Sequence, residues 1–114
     1  MTIIYGIKNC DTMKKALSWL EDNSVDYTFH DYKKQGLDQD VLKQALDEHG
    51  WEDVINRRGT TWRQLSEDTK NTMNNSNALK VAGENPSIVK RPLLLKGKKT
   101  YLGFKAEAYS GIFS

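Results

Sequence analysis

The chain has 114 residues and a mass of 13.0 kDa, enough for one domain with its own core and short for two. It is 38% hydrophobic and 28% charged with a formal net charge of +2, which excludes a disordered composition and gives no ground for a nucleic-acid partner. No apolar run approaches the roughly 20 residues needed to cross a bilayer, no signal-like stretch follows Met1, and one cysteine excludes an internal disulfide. Two separated histidines, His30 and His49, and a lone thiol give no zinc pattern, so no metal is expected. The expected location is a reducing cytoplasm.

Thr2 to Ile7 is nearly continuously apolar and β-rich, the pattern of a buried strand. From Asp11 the period changes: Met13, Ala16, Leu17 and Leu20 fall on one face of a helix that Asp22-Asn23-Ser24 breaks. Val25 to Tyr32 then alternates as a second strand, completing a right-handed βαβ unit. Asp38 is placed to cap a helix carrying Val41, Leu42, Ala45 and Leu46 and ending at Gly50. Thr60 or Thr61 is placed to cap another through Leu65, and Asn74 to Ala82 reads as a third, stopped by Gly83. RPLLL, the Lys96-Gly97-Lys98 turn and KTYLGF read as a hairpin, and AEAYSGIF as a last short helix.

The order is β-α-β, a helical block, then β-β-α. It predicts an α/β fold with a four-stranded mixed sheet, a helical insertion at about 37–84, and a single domain over 1–114.

Cys10 is the residue that carries chemistry. Free cysteine usually behaves as a small buried hydrophobe. Cys10, however, lies off the apolar stripe, after the Gly6-Ile7-Lys8-Asn9 turn and at the start of the first helix. Backbone N–H groups there lack intrahelical partners, and together with the helix dipole they stabilise an anion. A thiolate at such a place has a lowered pKa. Thr12 offers a hydroxyl that could donate to the sulfur or bond locally within the first turn. Cys10-Asp11-Thr12-Met13 has no second cysteine, so a dithiol cycle is excluded. A single-thiol cycle, resolved by an external thiol such as glutathione, remains.

YGIKNCDTMKKAL, NRRGTTWRQL, and PSIVKRPLLL followed by LGFK resemble the ArsC/Spx family of thioredoxin-fold proteins along essentially the whole chain. Within it the likeness is nearest to the small YffB-type group of glutathione-dependent thiol reductases. The resemblance implies a thioredoxin-like sheet, Cys10 as nucleophile, Arg57 or Arg58 as one anion binder, Arg91 as a second, and Pro92 at the cis-proline position. It also implies a monomer that binds no cofactor permanently, takes glutathione as cosubstrate and acts on a small disulfide or oxyanion. Arginine suits these roles, because its charged fork grips carboxylates and oxyanions. Taken alone, Arg57, Arg58 and Arg63 would read as a solvated helix-end cluster.

Two departures bear on function. Arsenate reductases of the family carry a third arginine after the last strand, where this chain reads Leu102-Gly103-Phe104-Lys105. Spx-type regulators, which bind RNA polymerase, often use a C-x-x-C switch, and Met13 stands in the second cysteine's place. Arsenate reduction, and a non-catalytic module docking on the polymerase α subunit, are the alternatives to thiol transfer.

Overall fold

The computed structural model describes residues 1–114. In chain order the elements are β1 (Thr2–Gly6), α1 (Asp11–Asp22), β2 (Thr28–Asp31), α2 (Tyr32–Gln35), α3 (Gln39–His49), α4 (Trp51–Val54) and α5 (Thr60–Arg63). They continue with α6 (Glu67–Asn71), α7 (Asn75–Glu84), a 3-10 turn (Pro86–Ile88), β3 (Leu93–Lys96), β4 (Lys99–Leu102) and α8 (Ala106–Ile112). Two compact units result: Met1–Gln35 with Arg91–Ser114, and Gly36–Lys90.

The first unit is a thioredoxin-like α/β layer. Its sheet has the order β2-β1-β3-β4, with β1 parallel to β2 and antiparallel to β3, and β3 antiparallel to β4. As a central strand, β1 buries the consecutive residues Ile4, Tyr5 and Gly6, which is why its sequence runs apolar instead of alternating. Met13, Ala16 and Leu20 of α1 join Ile4, Leu94 and Tyr109 in the core, as the helical spacing predicts. The hairpin closes at Gly97, whose φ of 62° lies in the left-handed region that glycine occupies without strain.

The second strand is shorter than the alternation from Val25 suggests. The Val25 amide is spent on the Leu20 carbonyl at 2.9 Å, closing the end of α1. At the other end, Tyr32 begins a helix and not a strand terminus. The Asp31 carboxylate accepts from the Lys33 amide at 3.0 Å, and the Asp31 amide donates to Gln35 Oε1 at 3.2 Å. A carboxylate satisfying a first-turn donor turns the chain into a helix just where the alternation would continue it.

The second unit is helical. Asp38 caps α3, accepting from the amides of Asp40 (3.0 Å) and Val41 (3.2 Å), and Gly50, at φ 82°, ends it. Thr60 is the first helical residue of α5 and Gly59 its cap. Gly83 does not stop α7. The helix runs to Glu84 and yields at Asn85, the residue before Pro86, where helical backbone is disfavoured. The segment after it closes the unit: the Asn56 amide bonds the Ile88 carbonyl and the Lys90 amide the Val54 carbonyl, both at 2.8 Å, around an Ile55–Val89 bridge. The short helices α4 and α6 are not evident in the sequence, because neither is long enough to show a helical period.

Two substitutions test these elements. A side-chain carbon at Gly6 would run into the sulfur of Met13, which is itself 0% exposed and would have to repack within the core. Gly6→Ala should therefore lower unfolding free energy by about 1–3 kcal/mol in urea. Asp38→Ala should cost about 0.5–2 kcal/mol through the lost cap of α3.

Candidate active site

Cys10 is the N-cap of α1, extended at φ −128° and ψ 127°. The strand β1 ends at Gly6, the turn through Asn9 reverses the chain, and the Cys10 carbonyl accepts the first helical bond, from the Lys14 amide at 3.0 Å. Asp11 adds a carboxylate in the first turn, the favourable sign at this end of the dipole, and it is exposed. Cys10 is half-buried, lying against the edge of the core cluster.

The thiol lies below its ordinary 9.0. Burial is the largest single influence and pushes the value up. It is outweighed by the Met13 amide, a hydrogen bond from the Arg91 side chain, the Thr12 amide and the Arg91 charge acting together. The two amides make no regular side-chain cap bond with the sulfur, so they act on it as nearby dipoles. Thr12 contributes through its backbone and not its hydroxyl.

Arg91 lies two residues before the start of β3 and is half-buried. Desolvation alone would lower its pKa, but hydrogen bonds to Cys10 and to Tyr32 raise it. The Arg91–Pro92 bond is cis. Pro92 is buried and its carbonyl accepts from the Gly103 amide at 2.9 Å, tying the start of β3 to the end of β4.

Tyr32 is the residue the sequence did not single out. It is 1% exposed, and its pKa is pushed up to about 12, chiefly by burial, against the lowering effect of Arg91. Alternation made it the last residue of a strand, and no spacing rule links position 32 to positions 10 and 91. Sheet pairing does: Gly6 lies opposite Asp31, and Tyr5 opposite Leu93. The residues just beyond these pairs, Cys10, Tyr32 and Arg91, therefore collect at one end of the sheet.

Arg57 and Arg58 belong to the helical unit. There Arg57 Nη1 lies 4.0 Å from Glu52 Oε2, and its guanidinium sits 5.6 Å from the centre of the Trp51 ring. Trp51 in turn stacks on Trp62 at 6.1 Å and 20°, with the Lys70 ammonium 6.0 Å from the Trp62 ring. Arg58 is exposed, and its amide donates to Asn56 Oδ1 at 3.1 Å. Lys8 and Lys105 are exposed. No three His, Cys, Asp or Glu residues are grouped to hold a metal ion, and no helix is long and apolar enough to cross a membrane.

A mixed thioredoxin-like sheet with one cysteine at a helix N-cap position beside a half-buried arginine defines a single-cysteine thioredoxin-fold protein. The sequence profile of the ArsC family matches residues 5–112, and the chain belongs to that family. A solved structure named YFFB protein superimposes with a TM-score of 0.95 at 45% identity, covering 100% of both chains. An arsenate reductase (ArsC) related protein from Brucella melitensis is 50% identical over 98% of this chain and 93% of its own, with a TM-score of 0.76. Among curated relatives, the global transcriptional regulator Spx 2 of Bacillus anthracis is 30% identical over 109 residues, 94% of this chain and 82% of that protein.

The alkylation rate of Cys10 against pH should have its midpoint below 9.0, and Arg91→Gln should move it upward. Stability should carry the same signature. The unfolded thiol holds its proton at pH values where the folded one has lost it, so stability rises with pH toward 9.0 and is lost as pH falls through the folded value. Tyr32 works in the opposite sense: its contribution is present below its ordinary 10.0 and is lost as pH rises toward about 12. Denaturant titrations of the protein and of Cys10→Ser across pH separate the two slopes.

Proposed function

We propose that the protein is a glutathione-dependent thiol reductase working through one nucleophilic cysteine. The observation that carries this reading is the half-buried Cys10 sulfur, held under the Arg91 guanidinium at a helix N-terminus with its pKa lowered. A lowered pKa raises the thiolate fraction, a thiolate attacks disulfides faster than a thiol, and the partial exposure leaves the sulfur reachable.

The reaction balances with a single protein thiol. On a glutathionylated substrate, the Cys10 thiolate attacks the glutathione sulfur, the substrate thiolate leaves and takes up a proton, and Cys10 becomes a mixed disulfide with glutathione. A second glutathione, as thiolate, attacks that adduct, giving oxidised glutathione and the free Cys10 thiolate. The net change converts one mixed disulfide and one glutathione into one substrate thiol and one oxidised glutathione. The external thiol is required because the chain has one cysteine. Arg91 would hold a carboxylate of glutathione. Pro92 would line the backbone against which its cysteinyl portion extends.

Arsenate reduction is the second reading, favoured by the family and by the Brucella relative. It would use the same thiolate on an arsenic oxyanion. The exposed Lys105 and half-buried Phe104, where the family's arsenate enzymes carry arginine, weigh against tight oxyanion binding. A regulator reading, favoured by the Spx 2 relative, would leave Cys10 dispensable.

Incubation with oxidised glutathione should add one glutathione mass to the protein, at Cys10, and reduced glutathione should remove it. Cys10→Ser should reduce glutathione-dependent disulfide turnover to the uncatalysed background. Full turnover by that variant would overturn the reading, and arsenate-dependent glutathione oxidation exceeding disulfide turnover would favour the second one.

A further inference from the structure

Arg91 is a long side chain ahead of a strand, and its effect on Cys10 depends on where its guanidinium is held. The group it bonds besides the sulfur is the Tyr32 hydroxyl. Tyr32 is the first residue of α2, buried at the foot of β2, and its ring is fixed at 1% exposure. Arginine offers several N–H donors in a flat fork and no acceptor, so one edge can face the sulfur while another meets the phenol oxygen. We propose that Tyr32 is a positioning residue: its hydroxyl accepts from Arg91 and locks the guanidinium over the Cys10 sulfur.

The chemistry of the partner matters. A carboxylate in this place would hold Arg91 more tightly but would cancel the charge that the sulfur needs. A phenol whose ionisation lies at about 12 remains neutral throughout the physiological range, so Arg91 is oriented without being neutralised. Burial serves both ends, since a hydroxyl that cannot turn to solvent keeps its bond. Of the other charged and titratable groups at this end of the sheet, Asp31 is half-buried and acts on Tyr32. His30 is packed on Tyr5 at 4.8 Å. Lys8, Asp11, Lys33, Lys34 and Lys90 are exposed.

The inference rests on Cys10 being a reactive thiolate, and one experiment separates the two. The pH profile of Cys10 alkylation is measured for the protein, Tyr32→Phe, Arg91→Lys and the double variant. An unmodified protein whose midpoint is at the ordinary thiol value overturns both the thiolate reading and this one. A low midpoint that Tyr32→Phe leaves in place overturns the positioning role alone. The expected result is that Tyr32→Phe raises the midpoint and lowers the rate at neutral pH by about fivefold, the equivalent of one hydrogen bond. In the Arg91→Lys background Tyr32→Phe should shift the midpoint less, because an ammonium lacks the flat fork whose orientation the phenol fixes. Equal shifts in both backgrounds would mean a merely structural tyrosine. Should Tyr32→Phe fold poorly, the unmodified protein still decides: restrained Arg91 guanidinium N–H signals by NMR are expected, and a freely averaging guanidinium overturns the proposal.

Discussion

The hydrogen bond between the Arg91 guanidinium and the Cys10 sulfur is the interaction that sets the character of this end of the sheet. Cys10 sits against the edge of an apolar core, and desolvation there opposes a charged sulfur more strongly than any one neighbour favours it. A cysteine at a helix N-terminus is thus not a thiolate by virtue of the helix alone. The Met13 and Thr12 amides, the Arg91 hydrogen bond and the Arg91 charge together outweigh the cost of burial. The sulfur stabilises the arginine in return, for Arg91 is itself partly desolvated and would lose basicity without an anionic partner.

The fold supplies that pairing through strand order. Placing β1 between β2 and β3 brings the end of one parallel strand, the end of its neighbour and the beginning of an antiparallel strand to the same edge. Cys10, Tyr32 and Arg91 each follow or precede one of these strand ends by a few residues. The core beneath is filled by Met13, whose sulfur lies where any side chain at Gly6 would have to go. Met13 is itself fully buried, so its flexible thioether fills the space left by the missing side chain.

The helical unit has its own internal logic. Its two tryptophans stack, with a cation over each ring, and Glu52 lies beside the arginine of that stack. Arg57 is therefore engaged locally by an aromatic face and an exposed carboxylate. An exposed ion pair of this kind is weak, at about 0–1 kcal/mol, and leaves the guanidinium able to change partners. The Arg58 side chain is exposed, with only its amide bonded nearby.

By itself the sequence determined the local events: the apolar run of β1, the stripe of α1, the Asp38 cap, the Gly97 turn, and a cysteine at a helix start without a second thiol. Each is set by neighbours within one or two turns of chain, where period, capping and φ preference act directly. Element ends were less legible, and for particular reasons: Asp31 converts the expected end of β2 into a helix, and Pro86 rather than Gly83 decides where α7 stops. Only the tertiary structure decided that Tyr32 joins Arg91 and Cys10. These residues are far apart in sequence, and no one-dimensional pattern carries a hydrogen bond that exists because three strand ends share one edge of a sheet.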